Sequence, residues 1–97
     1  MSKTSDARTF DKLEFYRVED NGNALKLADK LLFGIPLCLD FRDCPRDDAN
    51  EVITFLSGVI YSLDGSAKKI QGDIFLLARK IDYRDGSLKE FIDRYKL

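Results

Sequence analysis

Residues 49–78 read ANEVITFLSGVIYSLDGSAKKIQGDIFLLA, and the fold turns on how they are parsed. Ala49, Val52, Ile53, Leu56, Val59, Ile60 and Leu63 recur at helical spacing and predict a helix over 46–63. Asp64-Gly65 ends it. A short strand is expected at 66–70, a hairpin turn at Gln71-Gly72-Asp73, and a second strand at 74–79. That last strand is apolar on both alternating faces: Ile74, Leu76 and Ala78 on one, Phe75 and Leu77 on the other. Strands of this kind are usually covered on both sides. The central helices can cover only one side, so a C-terminal segment, a second copy or a ligand must cover the other.

Working outward, LEFYRV at 13–18 is rich in aromatic and branched residues and predicts a first strand. Asn23 is a candidate N-cap for a helix over 24–33 carrying Ala24, Leu27, Ala28 and Leu31. Gly34 and Pro36 end that helix. Residues 35–42 alternate with period two, placing Ile35, Leu37, Leu39 and Phe41 on the core face. Residues 1–12 are polar, lack helical periodicity and are expected to form a disordered tail. After a strand-like stretch at 81–84 and the break at Asp85-Gly86, Ser87-Leu88-Lys89-Glu90 fits a capping box. Leu88, Phe91, Ile92 and Tyr95 then give residues 85–97 the pattern of a short amphipathic helix. So short a helix is unstable alone and must dock on sheet or partner. The expected architecture is an α/β two-layer sandwich with a mixed sheet of four to five strands. Two helices pack on one face, residues 13–84 form the core domain, and a short C-terminal helix follows.

At 97 residues the chain is one domain. With 16 Lys and Arg against 17 Asp and Glu, the net charge is −1. That balance lacks the basic excess on which nucleic-acid binding rests. The chain contains no histidine, the commonest general base and metal ligand. It has no glycine-rich phosphate loop. Asp43, Asp47, Asp48 and Glu51 lack the spacing of a calcium loop and suit a solvated helix start. Cys38 and Cys44 fit neither a metal motif nor a disulfide framework, and are expected as free thiols in a reducing cytoplasm. No apolar run reaches the roughly 18 residues of a membrane-spanning helix. Neither cofactor nor metal nor catalysis is therefore expected.

Gly58 stands out, because glycine inside a helix costs about 1 kcal/mol relative to alanine. Either it lets the helix sit close to its own sheet, or it lets another helix approach. Phe55, Gly58 and Ser62 form a row beside the core stripe, which makes them candidates for a self-assembly interface.

Three blocks carry a family resemblance: FLSGVIYSLDGS at 55–66, KKIQGDIFLL at 68–77, and IPLCLDF before an acidic loop. Together they resemble the core of the SepF family of cytoplasmic division proteins. The resemblance implies a non-enzymatic homodimer that assembles further and binds the short C-terminal tail of the tubulin-like protein FtsZ. It implies work at the division site, on the inner face of the cell membrane. By position, Gly58 matches the glycine at which subunits approach, and Lys69 and Phe75 match positions that contact the FtsZ tail. Leu77 shares the face of Phe75 and joins that candidate site. Family members begin with an amphipathic membrane-targeting helix and a linker. Residues 1–12 show neither pattern, so membrane contact is expected only through a targeting helix that this sequence does not display. A structural self-assembly module without FtsZ binding, and a small-molecule sensor or enzyme on a similar fold, are the competing readings.

Overall fold

The computed structural model describes residues 8–95. A 3-10 turn, Thr9–Lys12, precedes strand β1, Glu14–Arg17. Helix α1, Ala24–Leu32, strand β2, Leu37–Asp40, and helix α2, Arg46–Ser62, follow. Strands β3, Gly65–Gln71, and β4, Ile74–Arg79, form a hairpin. A second 3-10 turn, Lys80–Tyr83, leads to helix α3, Ser87–Tyr95.

The sheet has four strands in the order β1-β2-β4-β3. β1 and β2 are parallel, which requires a crossover, and α1 supplies it. β4 runs antiparallel to both neighbours. It is therefore an interior strand, in keeping with its apolar residues on both faces.

Two glycines shape this path. α1 ends in a Schellman motif: the Ile35 N–H donates to Lys30 O at 3.0 Å and the Gly34 N–H to Leu31 O at 2.9 Å. Gly34 takes φ +87, the left-handed geometry that motif needs. At Gly65 the requirement is space, since a Cβ there would lie 2.4 Å from Ala78 O and 2.8 Å from Arg79 Cα. α2 and β3 can join so tightly only through glycine.

On one face, α1 and α2 seal the sheet. Leu27, Leu31, Val52, Leu56 and Ile60 meet Leu37, Leu39, Phe41 and Leu77 there. The other face is covered by α3 together with the first 3-10 turn. Leu88 is fully buried there with Leu76, Ala78, Cys38, Ile70 and Leu13, and Phe10, Phe91, Ile92 and Tyr95 pack around them. Of the three possible covers for β4, the C-terminal segment is the one observed.

Several expectations are corrected in detail. The stretch at 81–84 is a turn, not a fifth strand. Asp82 is 3% exposed and accepts from the Arg79 N–H at 2.9 Å and the Arg79 guanidinium at 3.0 Å. That local pairing curls the chain away from an extended path. The tail expected over 1–12 is ordered in its last four residues, where the Thr9 N–H donates to Asp85 Oδ2 and the Phe10 N–H to Ser87 Oγ. Residues 1–7 lie outside the described residues. Ser87 does not cap α3 by the expected box. The Glu90 N–H donates to Gly86 O, while Asp85 Oδ1 accepts from the Ser87 N–H and hydroxyl. Asn23 makes no side-chain cap either.

Candidate functional site

Lys69 and Phe75 are direct cross-strand partners in the β3–β4 hairpin. Opposed residues project from the same face, so the register places the lysine beside the ring. Phe75 is half-buried at the margin of the helix-side core, and its ring meets Phe41 edge-on at 5.8 Å between centroids. A groove of about 290 Å³ opens here between the hairpin and the first turns of α2. Phe41, Phe75, Ala49 and Ile53 form its apolar floor, and Arg42, Arg46 and Lys69 bring positive charge. Asp73 is the carboxylate in its lining.

Leu77 does not share this surface. It is 0% exposed, beneath α2 in the core, two residues along β4 from Phe75. Sequence placed it on the correct face but not at the correct depth. β4 runs from the open end of the sheet inward, so Phe75 reaches the groove while Leu77 supports the floor behind it.

Arg42, Arg46 and Ile53 are the residues that sequence reasoning missed. They come from the loop after β2 and the first half of α2, which only folding brings to the hairpin. Three N–H groups of Arg42 grip Asp40: the backbone N–H at 3.0 Å, Nε at 2.9 Å and Nη2 at 2.8 Å. This hydrogen bonding holds the Asp40 carboxyl below its ordinary pKa and raises that of Arg42. Cys44 also lines the groove, but burial, then Asp48 and Asp20, push its thiol pKa up. It is therefore a poor nucleophile at neutral pH. Burial raises Cys38 to about 11. Among the described residues, no cluster of His, Cys, Asp and Glu is able to hold a metal ion. None of their helices is long and apolar enough to cross a membrane.

The second candidate surface is the outer face of α2. Phe55 is 38% exposed, Gly58 and Ser62 are exposed, and the Ser62 hydroxyl donates to Val59 O. A Cβ built on Gly58 meets nothing within 4 Å. The sheet of the same chain therefore does not require this glycine, which removes one of its two explanations.

Comparison with known proteins supplies the context for these surfaces. The family model described as Cell division protein SepF matches residues 15–80. A Cell division protein SepF of Ruminiclostridium cellulolyticum is 35% identical over 68 residues, 70% of this chain and 44% of that protein. One from Caldanaerobacter subterraneus subsp. tengcongensis is 33% identical over 69 residues, 71% of this chain and 52% of that protein. The chain spans about half the length of these curated relatives. The matched segment runs from β1 to the end of β4 and so includes both the hairpin groove and the outer face of α2. With more than half of its length matched by the family model, this chain belongs to the SepF family of cell division proteins.

Proposed function

We propose that this chain is a non-enzymatic adaptor of cell division that binds the C-terminal tail of FtsZ in the hairpin groove. The observation that carries this reading is the pairing of Lys69 with Phe75 at the mouth of a cation-lined apolar groove. A short peptide with apolar and acidic side chains is complementary to it: the apolar group sits against Phe75 and Phe41, and the acids face Lys69, Arg46 and Arg42. Leu77 contributes by holding the floor. The site of action is the cytoplasmic side of the division site, and any hold on the membrane comes through a targeting helix, not through the described residues.

Self-association follows from α2 in the same proposal. Phe55, Gly58 and Ser62 present an open, low-relief strip against which a second copy packs closely. A dimer holding two tails on one filament gains effective concentration without new contacts. The alternative, a self-assembly module that does not bind FtsZ, draws on this same strip and needs nothing from the groove.

Titration with an FtsZ C-terminal peptide tests the two readings. The parent chain binds and Phe75→Ala weakens binding by about 1 kcal/mol or more, as for an interface anchor. Lys69→Glu weakens it as well, and added salt weakens the parent complex. Circular dichroism first establishes that Phe75→Ala is folded. Normal peptide binding by a folded Phe75→Ala, Lys69→Glu double variant would place the site elsewhere, and no binding by the parent leaves the self-assembly module.

A further inference from the structure

A second cavity, of about 420 Å³, lies on the far side of the hairpin, between β3 and α3. β3 is an outer strand of the sheet, so this cavity opens at the sheet's edge. Its apolar walls are Ile70 from β3, Ile92 from α3 and the Tyr83 side chain from the turn between β4 and α3. Lys68, Lys69 and Lys89 line it as well, against the single carboxylate of Asp93. That carboxylate is already engaged, since Lys89 Nζ lies 3.0 Å from Asp93 Oδ2. The Lys68 ammonium stands 4.6 Å from the centre of the Tyr83 ring. The cavity therefore joins an apolar lining to a positive charge excess.

Tyr83 is unusual in a further way. Its hydroxyl is buried and has no hydrogen-bond partner among the described residues. Buried polar groups nearly always have one. Packing and the Lys68 ammonium over its face hold the ring in the cavity wall.

We propose that this cavity is a binding site for a single-chain anionic amphiphile, of the class of medium-chain carboxylates. The tail lies between Ile70, Ile92 and the Tyr83 ring. The carboxylate meets Lys68 and Lys89, whose stems run along the apolar wall while their heads stay in water. The volume is in the range of ordinary small-molecule sites, about 300–1,000 Å³. The site is separate from the FtsZ-tail groove, although Lys69 borders both.

Calorimetric titration of the whole chain with decanoate, kept below its micellar concentration, tests this. One saturable site is expected. Decyltrimethylammonium carries the same tail with the opposite charge and is expected not to saturate. Lys68→Gln with Lys89→Gln removes two exposed cations and frees Asp93 to repel the ligand, so affinity falls roughly tenfold or more. Lys26→Gln, on α1, leaves it unchanged. Ile92→Ser also weakens binding, and if that variant fails to fold, the lysine double variant still decides. Equal binding of the two amphiphiles, or unchanged affinity in the lysine double variant, overturns the proposal. So does binding to phosphatidylglycerol vesicles that decanoate cannot displace, because the surface would then be reading a bilayer.

Discussion

The two faces of the sheet are closed by different means. The helix side is a continuous core: Leu37, Leu39, Leu56 and Leu77 are completely buried under α1 and the 17-residue α2. The opposite side has a smaller buried centre, Leu76, Ala78 and Leu88, ringed by half-buried Phe10, Ile74, Tyr83, Phe91, Ile92 and Tyr95. Its cover is a nine-residue helix, too short to persist alone in water. Besides the buried Leu88, a clasp between residues 9–10 and 85–87 holds it. Asp85 Oδ2 accepts the Thr9 N–H at 2.7 Å, and Ser87 Oγ accepts the Phe10 N–H at 2.9 Å. The Phe91 ring lies 5.6 Å from Phe10, tilted against it, and 5.6 Å from Phe15, edge to face. Both faces carry polar contacts at their margins, from Asn21 to Asp48 and Glu51 and from Lys30 to Glu14 on the helix side, but the apolar core beneath them is larger on the helix side. Both candidate protein-binding surfaces belong to the layer on the better sealed side.

The comparison breaks most readily in the helix-side core. Leu56→Ala leaves a cavity among side chains that cannot move to fill it. It should cost about 3 kcal/mol, within the range for buried leucines. Urea denaturation checks this, and a loss below that of Leu88→Ala would show that the two faces contribute in the opposite order. Leu88 is equally buried, but its half-exposed aromatic neighbours are able to relax into the space, so Leu88→Ala should cost about 2 kcal/mol. Truncation after Arg84 carries the same test further: it uncovers Leu76 and Ala78 and should lower the melting temperature or change the mass in solution. If both stay the same, α3 is dispensable.

A smaller effect sharpens the contrast between the inside and the outside of α2. A Cβ on Gly58 would meet nothing within 4 Å outside its own turns of helix, so Gly58→Lys should fold, and in dilute solution gain about 0.5 kcal/mol from better helix propensity. The same change should reduce self-association, because a long charged side chain interrupts a close helix crossing. Light scattering that shows unchanged assembly would remove α2 from the interface.

The smallest effect concerns the clasp. Hydrogen bonds from the Ser87 N–H, then from the Thr9 N–H and the Ser87 hydroxyl, lower the Asp85 pKa from 3.8 to about 2. A folded pKa below the unfolded one gives stability that is present above pH 4 and lost as pH falls toward 2. The melting temperature should therefore decline across that window, and Asp85→Asn should flatten the decline. Identical acid profiles for parent and variant would show that this carboxylate does not hold the clasp.

Element types were legible in the sequence wherever a local rule applies. Strand β4 lies where its apolar residues and the flanking turn place it, and the stripe of α2 is the one its spacing predicts. The pairing of Lys69 with Phe75 is the one expected across Gln71-Gly72-Asp73, but it is reached through an irregularity between Lys69 and Gln71, because Gln71 itself pairs with Ile74. The failures have a common cause. Residue type alone suggests a fifth strand at 81–84, but an Arg79–Asp82 pair closes the chain into a turn. Leu77 looks like a recognition residue in the sequence because period-two alternation reports the face of a residue and not its depth. The groove's second wall, from Arg42, Arg46 and Ile53, lies far along the chain from Lys69 and Phe75, and no periodicity links them.

By itself the sequence determined the helices, the strands, the hairpin and the need for a cover on the second face of β4. These follow from backbone periodicity, from glycine and proline geometry, and from the exclusion of apolar surface from water. The tertiary structure decided which segment supplies that cover, how deep each residue of β4 lies, and that Gly58 faces open space. Those outcomes depend on contacts between segments far apart in the chain, and such contacts are chosen by packing of the whole, not by any local pattern.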